Sequence, residues 1–367
     1  MNGLILLPLT GCAVSSGGPK STMPFWTSQT MEGESVFFVR QRPETRPEAR
    51  LLFTPIEILQ VARPATGEVY EVGSDYEVDC TRRVIRLPAG STIPFKEQRE
   101  MYPLPGESHS IEAHRDGVHH LYFGGGNLFH GQQIEITYTH SGEEWRRRGA
   151  PVPTPATRRL PGTMRKLHRG EPLNLVLLGD SISAGADASG TMDTPPHSPP
   201  YGTLFADWLR RTYASDVTFH NFSVGGTTSA WGAEQAQQIG AEHPDLVIIA
   251  FGMNDASGRV EPEVFGGEIR KTIEAIRAEQ PRAEFILVAT MSANPEWTYA
   301  SPSHYQDYLE QLRKLTGRSV ALADVTSIWV ELLKHKSFAD LTGNGVNHPN
   351  DFGHRIYAQV LAALLMD

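Results

Sequence analysis

The chain has 367 residues, 40% hydrophobic and 20% charged, with a formal net charge of −9. That length suits two ordinary domains better than one. No Lys/Arg run exceeds Arg146-Arg147-Arg148, so the basic stripe of a nucleic-acid binder is missing. No stretch reaches the roughly 18 consecutive apolar residues of a membrane-spanning helix, and the two cysteines, Cys12 and Cys80, support neither a disulfide framework nor a zinc site.

The chain begins with a short apolar run over residues 3–9, then Leu9-Thr10-Gly11-Cys12 and a small, polar stretch. The tetrapeptide resembles a bacterial lipobox, in which Cys12 would carry lipid after cleavage and the polar stretch would be a tether. No Lys or Arg precedes the run, and it is short for a signal segment. The bland alternative is an apolar tail. Residues 1–30 are therefore expected to be signal, lipobox and tether. This places the protein in the bacterial cell envelope or outside the cell, with Cys12 as membrane tether, or in the cytoplasm if the segment is no signal.

Residues 31–148 read as an all-β sandwich or jelly-roll-like module. Short branched or aromatic runs (35–40, 57–61, 84–87, 134–139) alternate with turn signals such as Pro64-Ala-Thr-Gly67 and Gly124-Gly125-Gly126. His109, His114, His119, His120, His130 and His140 crowd into this module without ligand spacing, so they read as loop residues and not as a metal site. Residues 149–171, rich in Pro, Gly and basic residues, read as a linker.

From residue 172 to 367 the pattern is strand–helix alternation. Apolar runs at 174–178, 217–221, 246–251, 285–289 and 320–323 predict strands. Helices are expected at about 202–213, 233–241, 262–279, 304–317, 326–335 and 352–366. The last shows Ile356, Val360, Leu361 and Leu364 at a spacing that buries one face. Buried apolar strands alternating with helices mean an α/β fold with a doubly wound parallel sheet of five strands. Ligands bind such sheets beyond the carboxyl ends of the strands.

Four short motifs fall there: Gly179-Asp180-Ser181-Ile182-Ser183 after the first strand, Asn221-Phe222-Ser223-Val224-Gly225-Gly226 after the second, Gly252-Met253-Asn254-Asp255 after the third, and Asn347-His348-Pro349-Asn350 before the last helix. Each alone is weak; a serine after a strand is usually a helix cap. Their order and placement together resemble the SGNH (GDSL-like) hydrolases. That resemblance implies a flavodoxin-like domain, no cofactor, and Ser181, Gly226, Asn254 and His348 as the four block residues, with Gly225 the neighbouring choice in the second block. A serine hydroxyl needs an adjacent base, and imidazole titrates in the right range. The Ser181 and Gly226 N–H groups and the Asn254 amide would face the developing oxyanion, and Asp180 would brace the turn.

The family's pattern has Asp three residues before the histidine, and here that position is Gly345. Three groups could orient the imidazole instead: a backbone carbonyl near Gly345, Asp340 or Asn344. Trp231, Trp297, Tyr299 and Tyr305, with Gly225 and Met253, could line the substrate pocket, and Gly185–Pro200 could shape its entrance. The expected function is a serine carboxylic ester hydrolase that removes short acyl groups, such as acetyl, from carbohydrate. A lipase, lysophospholipase or thioesterase of the same fold is the first alternative. A glycan-binding envelope lipoprotein without catalysis is the second.

Overall fold

The computed structural model describes residue 20 and residues 22–366. Cys12 and most of the N-terminal segment lie outside the described residues. The first module is sheet-rich. A four-stranded antiparallel sheet runs, in spatial order, Thr30–Phe37, Gln133–Thr139, Glu57–Arg63 and Glu68–Val69. A second sheet of five short strands runs Glu77–Asp79, Val84–Arg86, Glu48–Arg50, Val39–Arg40 and Lys96–Glu97. A ribbon pairs Ser110–Ile111 with Leu121–Tyr122.

The α/β domain is built on five parallel strands: β1 (Leu173–Gly179), β2 (Val217–Asn221), β3 (Leu246–Ala250), β4 (Glu284–Ala289) and β5 (Val320–Asp324). Their spatial order is β2-β1-β3-β4-β5. Every residue of β3 and β4 is buried, because helices cover both faces of the sheet. These helices are α1 (Tyr201–Tyr213), α2 (Ser229–Ala241), α3 (Pro262–Glu279), α4 (Pro302–Leu315), α5 (Val325–Leu333) and α6 (Asp351–Leu365). α1 packs on α6, and α2 on α3. The chain order reverses between β1 and β3, so their carboxyl ends form the switch point.

Two expectations need correction. The segment read as a linker contains a helix, Pro161–His168, with Leu160, Met164 and Leu167 buried. The Glu284 carboxylate accepts from the amides of Gly162 (2.8 Å) and Thr163 (2.7 Å) at its first turn. Helix α6 is not half-exposed either. Every residue from Phe352 to Leu365 is buried, because the first module covers the face that periodicity leaves to solvent. Arg355 donates to the carbonyls of Glu32 (2.6 Å) and Gly33 (2.7 Å) there.

The two parts share one hydrophobic core. Polar contacts add to it: the Phe37 amide donates to Asp340 Oδ1 at 2.7 Å, and Gln133 Nε2 to the Thr342 carbonyl at 2.7 Å. Lys336 and Glu34 form a fully buried ion pair at 2.6 Å. Its remaining valences are met by Tyr138 Oη and the Leu52 amide on Glu34, and by the Arg50 carbonyl on Lys336. The strand Thr30–Phe37 thus rests directly on the segment that leads to His348.

Candidate active site

Ser181 opens a short helix, Ser181–Ala184, at the end of β1. Asp180 caps that helix, its Oδ1 accepting from the Ile182 amide at 3.0 Å. Burial pushes the Asp180 carboxyl up to about 7, opposed by that amide and by nearby His348. His348 lies in the loop before α6. Gly343 N donates to its carbonyl at 3.0 Å and Thr342 Oγ1 at 2.8 Å.

These two side chains meet: Ser181 Oγ lies 2.9 Å from His348 Nε2. On the other side of the ring, His348 Nδ1 lies 2.7 Å from Asp187 Oδ2. With the ring proton on Nδ1 donated to that carboxylate, Nε2 is left to accept the serine hydroxyl proton.

The group placed to accept the Nδ1 proton is thus not one of the three expected from sequence. Gly345 has φ +89, and its carbonyl accepts from Asn294 Nδ2 at 2.9 Å. A Cβ at 345 would overlap the Tyr122 carbonyl oxygen and lie 2.9 Å from the Phe129 ring. An aspartate cannot stand there because the first module occupies its space. Asp340 is turned away, accepting from the amides of Phe37 and Ser337. Asn344 is close but serves the loop. Its Oδ1 accepts from the amides of Val346, Asn347 and His348 at 2.9–3.3 Å. Its Nδ2 lies 3.0 Å from His348 Nδ1, yet an amide nitrogen is a donor and cannot take the ring proton.

The sequence reading missed Asp187, which lies within the stretch taken as an entrance loop. The one hint in the sequence is negative: no carboxylate stands three residues before the histidine, and nothing local points to position 187 instead.

The other blocks surround the serine. A Cβ on Gly225 would lie 3.7 Å from Ser181 Cβ, and Gly226 has φ +80 with open space where a side chain would be. Asn254, on a short helix after β3, donates from Nδ2 to the Thr227 carbonyl at 2.8 Å. Asp255 accepts from Ser229 N (3.1 Å) and Oγ (2.5 Å), and burial raises its pKa. The two loops beyond β2 and β3 are thereby tied together beside Ser181.

The aromatic candidates divide. Tyr305 and Met253 are core residues that touch each other at 3.4 Å. Trp231 packs edge-on against Phe251. Trp297 is partly buried beside Tyr299, and its backbone bridges to His114 of the first module. There a cavity of about 820 Å³ opens in the first module, lined by Arg40, Arg99, Tyr102 and His114 among others and bordered by Glu296 of the α/β domain. A second cavity shares Tyr102 and Glu296 with it and reaches Gly345. The module's histidines do not converge on one point: His140 stacks on Phe53 and His120 meets Ser110, while His114 and His119 share Asp116. Among the described residues no group of three or more His, Cys, Asp or Glu side chains could hold a metal ion, and no helix is long and apolar enough to cross a membrane.

A hydroxyl, an imidazole and a carboxylate in line, at the switch point of a parallel sheet, is the arrangement that serine hydrolases use. More narrowly, residues 177–356 match the GDSL-like Lipase/Acylhydrolase family. A 104-residue stretch is 34% identical to an arylesterase of Vibrio mimicus, covering 28% of this chain and 48% of that protein. A GDSL lipase of Mycobacterium tuberculosis is 25% identical over 213 residues, 56% of this chain and 87% of its own. Among solved structures, a two-domain esterase active on acetylated mannans is similar with a TM-score of 0.46 and 26% identity, over 58% of this chain and 53% of its own. The chain thus spans about half the length of the arylesterase and of the two-domain esterase.

Proposed function

We propose that this protein is a serine carboxylic ester hydrolase whose centre is Ser181, His348 and Asp187. The observation that carries the proposal is the unbroken line of contacts, 2.9 Å from Ser181 to His348 and 2.7 Å from His348 to Asp187. In this reading His348 Nε2 takes the Ser181 proton as Oγ attacks the ester carbonyl. The imidazolium that forms is held by Asp187. The tetrahedral oxyanion is met by the backbone N–H groups of Ser181 and Gly226 and the side-chain amide of Asn254. His348 then returns the proton to the departing alkoxide. Water repeats the sequence on the acyl-enzyme to release the acid and free Ser181.

For the substrate we propose a short acyl group, such as acetyl, on a carbohydrate. Two observations support this. Exposed large apolar side chains of the α/β domain are scattered (Met192, Val224, Val264, Tyr299, Val330), whereas a long acyl chain needs a continuous apolar groove. A cavity of the first module, bordered by Glu296 of the α/β domain, is lined by charged and polar side chains with Tyr102, a surface that suits a hydroxyl-rich chain. Initial rates on p-nitrophenyl esters of increasing length test it. The expected result is fastest turnover of acetate or propionate; preference for chains of about eight carbons or more would make the protein a lipase or thioesterase instead. Envelope attachment through Cys12 is a further part of the proposal. A lipid label that appears on the wild type and is lost in Cys12→Ser is expected, and labelling that survives the substitution contradicts it.

A further inference from the structure

The carboxylate beside His348 stands on an uncommon backbone. Asp187 has φ 57, a left-handed conformation that non-glycine residues rarely adopt. Something must hold it there, and the structure shows three polar ties within four residues. His354 of α6 donates from Nε2 to the Ala186 carbonyl at 3.2 Å. His130 donates from Nε2 to the Asp187 carbonyl at 3.0 Å. The Asp351 carboxylate accepts from the Ser189 amide at 2.8 Å. Both histidines are buried. Burial pushes the pKa of His354 down to about 4, so it stays a neutral ring with one N–H to give.

His354 and Asp351 belong to the α/β domain. His130 does not: it ends the short helix Asn127–His130 of the first module. The same module touches the Asp187 side chain, since a Cβ on Gly125 would overlap Asp187 Oδ1. It also fills, with the Tyr122 carbonyl and Phe129, the space beside Gly345 where a carboxylate would otherwise come from. The first module thus removes one place for the acid and grips the residue that supplies it.

We propose that His130 is a positioning residue of the reaction. Its N–H fixes the rotation of the Asp187 peptide, and thereby aims the carboxylate at His348 Nδ1. The first module is then part of the active centre and not only an appended binding unit. This rests on the Ser181–His348–Asp187 reading.

The test is a double-mutant cycle on the full chain with p-nitrophenyl acetate. His130→Leu removes the donor. It is expected to lower kcat by about 10–100-fold, the scale of a small misplacement in a catalytic centre, with KM within about twofold of wild type. In an Asp187→Ala background the same substitution is expected to change kcat by less than about twofold, because there is no carboxylate left to aim. An unchanged kcat in His130→Leu, or the same fold-loss with and without Asp187, overturns the proposal. If His130→Leu does not fold, His130→Gln and His130→Asn replace it. The longer amide reaches the Asp187 carbonyl and keeps kcat near wild type, whereas the shorter one does not; equal activity of the two overturns the proposal. Asp187→Ala alone separates the two claims. Wild-type kcat in that variant refutes the triad, while a large loss there without any effect at His130 refutes only the positioning role.

Discussion

Replacing Asp187 by Ala removes the acceptor 2.7 Å from His348 Nδ1. The two side chains are 8% and 18% exposed, so water screens the pair only partly. At an effective dielectric of about 20, opposite unit charges about 4 Å apart attract by about 4 kcal/mol. That attraction is absent while His348 is neutral and arises only as the imidazole takes the serine proton, so it lowers the barrier and not the ground state. At 1.36 kcal/mol per tenfold, kcat should fall by about 10³-fold with KM little changed. Initial rates on p-nitrophenyl acetate against concentration, with a urea unfolding curve as control, measure this. Activity within about tenfold of wild type in the folded variant would refute the reasoning. Adding Gly345→Asp to Asp187→Ala should not restore activity, because a side chain at 345 meets the Tyr122 carbonyl and Phe129. Rescue by that second substitution would show that the first module does not bar the position.

Other expectations follow from neighbouring groups. Asn254→Ala should cost about 10²–10³ in kcat, the usual effect of one lost oxyanion donor, read by the same assay. Lys336→Met strands the buried Glu34 carboxylate, from which it now lies 2.6 Å, and should destabilise by about 3–5 kcal/mol in urea unfolding. His354 has a folded pKa near 4, lowered by burial, below its ordinary 6.5. Between those values the unfolded chain binds a proton that the folded chain refuses, so this residue makes stability rise with pH from about 4 to 6.5. The gain is at most about 3 kcal/mol, and His354→Gln should flatten that slope; an unchanged slope contradicts the assignment.

The α/β half was legible because its physics is local. Short uninterrupted apolar runs such as Leu246-Val-Ile-Ile-Ala-Phe251, rich in branched residues, fit strands covered on both faces, and the helices between them follow from periodicity. Ser181 and His348 stand out in the sequence because each sits in a short motif beside such an element, and the structure brings the two side chains to 2.9 Å of each other. The carboxylate beside His348 Nδ1 does not stand out, because its place is decided by tertiary contact. Nothing local at Gly345 says that Tyr122 and Phe129 fill the space beside it. Nothing local at Asp187 says that His130, 57 positions earlier, grips its carbonyl. The same cause hid the full burial of α6, whose outer face is polar by sequence yet lies under Glu32 and Gly33. The helix Pro161–His168 was masked by prolines and glycines, although Pro161 stands at its first turn, where proline is at home.

Covalent labelling tests the central claim most directly. A fluorophosphonate probe, followed by peptide mass spectrometry, should place one adduct on Ser181. Labelling should be absent in Ser181→Ala and His348→Ala and slowed about 10³-fold in Asp187→Ala, in step with ester hydrolysis. An adduct on another residue, or Ser181→Ala hydrolysing esters at the wild-type rate, would contradict the account.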